Sequence, residues 1–261
     1  MNAGFHNHKL LTRKFTTMKL LKFIILSLGV AAVSSLYMSC TKETPQVAPI
    51  VTSFSNSANV QVFNATVKST RNYIYVDGVP VSGSALAYGG VFPATAYSFI
   101  VNAGSHSFLI KDTLPATTQA PLTFSQNMDK GKSYTIFTYD TTISIKQATI
   151  LNNIVVPKDT TSRLRFANFI YNSSAVPNVD VYSFRKGTTV PVFSNIATNQ
   201  VTDFIPYASG LTDTLYVYAT GTTSPLLVKS VIPGFTQTRS YTSVYSGSYK
   251  GKRAIAAFAT Y

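Results

Sequence analysis

Lys132-Ser-Tyr-Thr135 returns as Arg239-Ser-Tyr-Thr242, 107 residues later. Four more pairs keep nearly the same spacing. Val60-Gln-Val-Phe-Asn64 precedes Leu164-Arg-Phe-Ala-Asn168 by 104 residues, and Asn72–Val76 precedes Asn178–Tyr182 by 106. Gly104 and Gly210, and Ala148 and Ala254, are each 106 apart. Five anchors in one order at a near-constant offset mark a tandem repeat. This limits the fold sharply, because whatever structure forms must form twice, each time in about 100 residues.

Thr, Ser, Val, Tyr and Phe dominate, Glu appears once, at Glu43, and Trp is absent. Such a chain favours strands over helices. In the first copy, VQVFNA (60–65) and Tyr73–Val76 read as strands. Asp77-Gly78 then gives a hairpin signal, since Gly accepts positive φ. Gly83, Gly89, Gly90 and Pro93 mark a long loop. SFIV (98–101) and SFLIK (107–111) flank Asn102-Ala103-Gly104 and predict a second hairpin. LTFSQ (122–126) and YTIFTY (134–139) predict a third, and ISIKQATIL (143–151) closes the unit. The expected fold is all-β, with two tandem immunoglobulin-like β-sandwich domains. They span 58–157 and 163–261, with a linker at 158–162. Leu164, Phe166, Val179, Val181, Leu215, Val217, Tyr241 and Ile255 are the expected core of the second copy.

The chain has one cysteine, Cys40, so no intrachain disulfide can form and each copy needs its own apolar core. Cys40 ends FIILSLGVAAVSSLYMSC (23–40), which follows Lys19 and Lys22. Basic residues, an apolar run and small residues make the order of a secretory signal. The run is shorter than the roughly 20 residues of a membrane-spanning helix. Residues 1–39 therefore read as a signal peptide, with Met18 the better start. The placement of Cys40 resembles a bacterial lipoprotein lipobox, with Ser39 just before the cut. That resemblance implies acylation of Cys40, with membrane lipid as the partner of the acylated cysteine. Residues 40–57, rich in Pro and polar residues, read as the tether. The expected location is the cell envelope, at the outer membrane and open to surface exposure.

Of the 22 Lys and Arg, five precede Cys40, whereas all nine acids follow it, leaving the mature chain at +8. The charge is spread out, without the basic stripe of a nucleic-acid binder. His106 is the only histidine of the mature chain, so a Ser-His-Asp triad would have to use it. It lies at the start of a strand, in Gly104-Ser-His-Ser-Phe108, with no partner in its local sequence and Thr212 in its place in the second copy. An exposed strand residue is expected. One histidine and scattered Asp also offer no metal-ligand spacing. No catalytic, metal or cofactor site is expected. Tyr88, Phe92, Tyr97, Tyr171, Tyr207 and Tyr249 fall in or near loops. Clustered, they would suit a glycan; scattered, they would be packing residues.

Arg163-Leu-Arg-Phe-Ala-Asn168, a loop through Pro177, and Asn178-Val-Asp-Val-Tyr182 resemble the bacterial domain-of-unknown-function family 4397. The first copy keeps Tyr75-Val-Asp-Gly78, Ala103-Gly104 and Gly131-Lys-Ser-Tyr-Thr135. The resemblance implies an extracytoplasmic β-sandwich and no activity, and it carries over no functional residue. The reading is a non-enzymatic envelope lipoprotein with a structural, adhesive or binding role toward a surface protein or glycan. Its rivals are a glycan-binding accessory lipoprotein and an extracytoplasmic hydrolase.

Overall fold

The computed structural model describes residues 54–261. The expected signal peptide, Cys40 and all but the last residues of the expected tether lie outside the described residues. A short 3-10 turn, Phe54–Asn56, leads into the first half of the fold. That half holds β1 (Ser57–Asn64), β2 (Asn72–Val76), β3 (Val79–Pro80), β4 (Val91–Phe92), β5 (Phe99–Asn102), β6 (Gly104–Asp112), β7 (Leu122–Met128), β8 (Ser133–Tyr139) and β9 (Lys146–Leu151). The second half holds β10 (Ser162–Tyr171), β11 (Val179–Arg185), β12 (Thr188–Ile196), β13 (Gln200–Val201), β14 (Ile205–Tyr207), β15 (Asp213–Ala219), β16 (Val228–Ile232), β17 (Ser240–Ser248) and β18 (Arg253–Ala259).

Each half is a sandwich of two sheets. In the first, β4-β1-β8-β9, with β5 also on β1, faces β3-β2-β6-β7. In the second, β13-β10-β17-β18, with β14 also on β10, faces β12-β11-β15-β16. Adding nine to each strand number converts one order into the other, so the repeat in the sequence is a repeat of topology. Parallel pairs β1–β8 and β10–β17 sit at the centre of each five-stranded sheet.

Asp77-Gly78 joins β2 to β3 as expected. Val76 pairs with Val79, and both turn residues have positive φ (51° and 79°), the two-residue geometry whose twist matches the strands. The other two predicted hairpins are not hairpins. β5 pairs with β1 while β6 pairs with β2 and β7, so Asn102-Ala103-Gly104 carries the chain across from one sheet to the other. β7 likewise pairs with β6, whereas β8 pairs with β1 and β9. Alternation reveals which side of a strand is apolar, but a turn between two strands does not say whether they stay in one sheet.

Val60, Val62, Ile74, Phe108, Ile110 and Ile136 fill the first sandwich and are fully buried. Leu164, Phe166, Val179, Val181, Leu215, Val217 and Ile255 are in the second core, as expected. Tyr241 is half-buried against that core, its ring stacked on Phe235 at 4.0 Å. A third core was not expected. The outward faces of the two five-stranded sheets pack on each other through Phe63, Phe137, Phe169, Val244 and Phe258. The result is four sheets in a stack. β1, β8, β10 and β17 are thus buried on both faces, which explains their nearly continuous burial. Polar residues ride in this seam too. Gln61 donates to the Ala259 carbonyl at 3.0 Å, and Arg165 donates to Thr135 across the seam and to Thr242 beside it, at 3.0 and 2.9 Å.

Candidate functional site

His106 has partners that its local sequence does not contain. The β2–β3 turn brings Asp77 to it, with Nδ1 at 2.6 Å from Oδ2, and Nε2 lies 2.7 Å from the Asn102 carbonyl. Both ring nitrogens are thus engaged by oxygen atoms of the protein. Partial burial pushes the Asp77 carboxyl up, but the bonds from His106 and the Ser107 amide, with the His106 charge, outweigh it and hold it below the usual carboxylate range. In a hydrolytic triad the second nitrogen takes the nucleophile's proton. Here that nitrogen is engaged by a backbone carbonyl, so the pair is built to pin a turn.

Sheet register corrects the counterpart of His106. Ile74 pairs with Ile110, and Val181 with Val217, so the copies align at an offset of 107 in these strands. His106 therefore matches Asp213, not Thr212. The Asp213 side chain is fully buried and saturated. Ser183 Oγ and Arg185 Nη2 donate to Oδ2 at 2.6 and 3.0 Å, the Tyr207 hydroxyl makes a very short bond to the same oxygen, and the Thr214 amide reaches Oδ1 at 2.6 Å. Burial raises this carboxyl's pKa, and the hydrogen bonds and Arg185 lower it further than burial raises it. Burial also raises the Tyr207 hydroxyl, helped by the adjacent carboxylate.

Asp180, the acid of the Val-Asp-Val motif, is another structural anchor. It accepts from the Asn195 amide, the Thr220 hydroxyl and the Gly221 amide at 2.7, 3.1 and 2.9 Å. These bonds hold the bulge where the β11–β12 register shifts. Among the described residues no three His, Cys, Asp or Glu side chains gather to hold a metal.

The six loop aromatics do not form one cluster. Tyr207 is buried, Phe92 packs on Phe99, and the Tyr88 hydroxyl meets Ser246 Oγ at 3.0 Å across the seam. Tyr249 lies under the Arg253 guanidinium. Tyr97 and Tyr171 line separate clefts. Aromatic residues do gather elsewhere, on the outer face of the β12-β11-β15-β16 sheet. Tyr182 and Tyr218 meet edge to face at 5.8 Å, as do Phe184 and Tyr216, and Tyr216 and Tyr218 lie nearly parallel at 6.5 Å. Lys229 lies 5.9 Å from the Tyr216 ring, and Val231 is 67% exposed on the same strand. Sequence reasoning missed this face, although the signal was present. Every second residue of Val181-Tyr-Ser-Phe184 and Leu215-Tyr-Val-Tyr218 is aromatic, and those residues point away from the core.

Two clefts open along the seam between the sandwiches. One, about 210 Å³, is lined by Tyr139, Tyr171, Asn172 and Asn199, with Lys146 and Asp140 paired at 2.7 Å. The other, about 550 Å³, is lined by Tyr97, Lys132, Asn152, Val156, Thr260 and Tyr261. The Arg239 guanidinium lies over both tyrosines, 4.9 Å from the Tyr97 ring and 5.7 Å from that of Tyr261.

The family model of a domain of unknown function, DUF4397, matches residues 58–182. The match covers all but the first residue of the first sandwich and runs into β11. No curated protein matches the sequence. Among solved structures, the Bacillus anthracis TIE protein is similar at 11% identity and a TM-score of 0.24, over 73% of this chain. The alignment spans only 34% of that protein. The family CBM26 module CBMbc of Eubacterium rectale Amy13K, solved with maltoheptaose, is similar at 10% identity and a TM-score of 0.25. That match covers 76% of this chain and 95% of the module.

Proposed function

We propose that this chain, whose residues 58–182 belong to the domain-of-unknown-function family DUF4397, is a lipid-anchored envelope protein that binds rather than catalyses. Acylation of Cys40 supplies the anchor in this reading, and the paired sandwiches form a rigid body held outside the cytoplasm. The observation that carries the binding role is the outer aromatic face of Tyr182, Phe184, Tyr216 and Tyr218. Aromatic side chains left facing solvent in a group are the composition of a contact surface more than of a solvated face.

A glycan is the ligand class this face favours. Rings supply apolar area for the C–H faces of sugars, and Lys229 and the nearby Thr189 and Thr214 supply polar groups for hydroxyls. This replaces the loop aromatics with a sheet face as the carrier of the glycan-binding role.

Two experiments test the proposal. The intact mass of membrane-extracted protein, beside Cys40→Ala, reads the anchor. A mass that starts at Cys40 with added acyl chains, lost in the variant, supports it; an unmodified protein cut elsewhere overturns it. Affinity electrophoresis against soluble envelope polysaccharides reads the face. Retardation lost in Tyr182→Ala and Tyr216→Ala supports glycan binding, and no retardation by any of them overturns it.

A further inference from the structure

We infer that the end of the molecule where the described chain begins docks on an anionic lipid bilayer, with Val155 and Val156 entering the interface between tyrosines and a basic rim. Strands β1, β8, β10 and β17 all start at this end. The Ser57 carbonyl accepts from the Gly131 amide at 2.8 Å, and the Asn59 amide donates to the Lys132 carbonyl at 2.9 Å. The chain thus arrives from its amino-terminal side next to Lys132 and the 550 Å³ cleft.

Exposed apolar side chains gather here. The segment from β9 to β10 begins Leu151-Asn-Asn-Ile-Val-Val-Pro157, and Leu151, Val155 and Val156 are 50%, 60% and 48% exposed. Ile154 and Val156 line the cleft beside Tyr97 and Tyr261, themselves about 40% exposed. A connection between two strands has no need of this apolar surface in water, where polar residues serve as well.

Charge points the same way. Lys130, Lys132 and Lys158 are exposed, Arg163 lies at the start of β10, and Arg239 lies between the two tyrosines. The acids at this end are Asp129, Asp159, Asp77, which faces His106, and the buried Asp213, which is paired with Arg185, itself a further cation here. Asp129 is held by the Tyr134 hydroxyl, and Asp159 sits 3.9 Å from Arg163. Cations therefore outnumber acids. Tyr at the headgroup level, Lys and Arg toward anionic phosphates and aliphatic side chains below make the composition of a membrane interface.

The length of chain before β1 fits this geometry. Sixteen residues separate Cys40 from Ser57, a span of at most roughly 60 Å when fully extended. An anchor on that side keeps this end near the lipid at high effective concentration, so weak contacts suffice. The inference rests on the lipoprotein reading for the presence of the membrane, but not for the contact itself.

The test uses the absence of Trp from the full chain. Val155→Trp places a single indole at the proposed contact, and Val231→Trp places one on the outer sheet face as a control. Each is prepared in acylated form and with Cys40→Ala, then mixed with vesicles of phosphatidylethanolamine and phosphatidylglycerol, or of phosphatidylcholine alone. Expected for acylated protein on the anionic vesicles is a blue shift and quenching by brominated acyl chains in the Val155→Trp protein only. The Cys40→Ala form should show the same change more weakly, on anionic vesicles only, and lose it in Lys132→Glu/Arg239→Glu.

Acylated protein that floats with the vesicles while both indoles stay in water would overturn docking and leave the anchor intact. Membrane-extracted protein that retains Cys40 yet carries no acyl group, and still shows the anionic-vesicle shift, would sink the anchor and support docking. Blue-shifted emission from the Val155→Trp protein before vesicles are added would mean that the chain's own amino-terminal segment covers this end, and would overturn the inference.

Discussion

The Phe137 ring of the first sandwich stacks on the Phe169 ring of the second, with centroids 4.7 Å apart and planes 26° from parallel. Phe63 and Phe258 repeat the arrangement at 5.3 Å. These four rings make the two copies one mechanical object, because neither copy can leave without exposing them.

Phe169→Ala should therefore weaken both sandwiches together. Truncating a buried Phe costs about 3–5 kcal/mol, through lost burial and the cavity left behind. Calorimetry should show one unfolding transition for the natural chain and one, at lower temperature, for the variant. Two separated transitions in the natural chain would show that the seam does not couple the copies.

The fold was legible wherever one strand's own pattern decides its state. Val179 and Val181 alternate with Asp180 and Tyr182, so their inward direction could be read directly, as could the Asp77-Gly78 turn. The seam was not legible for a physical reason. Gln61 and Arg165 look like solvent-facing positions between apolar ones, yet they are 2% exposed because a second sheet covers them. The pairing of His106 with Asp77, 29 residues away, was hidden because it depends on two strands lying side by side. The aromatic outer face was present in the alternation of β11 and β15, but which aromatics meet depends on the pairing of those two strands.

Arg165 is a buried cation whose polar partners are hydroxyls, with the Phe204 ring 4.7 Å from its guanidinium, and it forms no ion pair among the described residues. Burial pushes its pKa down to about 9, so it is still charged at neutral pH. The folded-state value is below the unfolded one, so the charge costs stability below pH 9, and that cost is relieved as the pH rises above it. Arg165→Met removes the desolvated charge and keeps most of the volume. The expected outcome at pH 7 is an unchanged or higher melting temperature, with a gain of up to about 1–4 kcal/mol. A clear loss would mean that the Thr135 and Thr242 bonds outweigh the cost of burial.

Asp213 should behave in the opposite sense. Its carboxyl is held below the unfolded value, so its contribution is complete above roughly pH 4, and is lost as the pH falls through the depressed folded value. Asp213→Ala strands Arg185, Ser183 and Tyr207 around an empty position, and should cost about 3–5 kcal/mol at pH 7. In urea unfolding the gap between the variant and the natural chain should narrow as the pH is lowered below that range. A gap that stays constant from pH 7 to pH 2 would show that the carboxylate charge is not what stabilises this cluster.

Gly247 tests the seam from the backbone. Its φ is +107°, and a Cβ there would lie 2.3 Å from the Lys252 carbonyl oxygen and 3.0 Å from the Tyr88 hydroxyl, which belongs to the other sandwich. Gly78, at φ +79°, has nothing within 4 Å and serves as the control. Both Ala variants carry the strain of positive φ, about 1–3 kcal/mol. Only Gly247→Ala must also displace β18 or push Tyr88 away from Ser246. Its loss of stability should exceed that of Gly78→Ala, with faster amide exchange in β17 and β18. Equal losses would mean that the β17–β18 turn yields locally, and that the Tyr88–Ser246 contact contributes little to holding the two copies together.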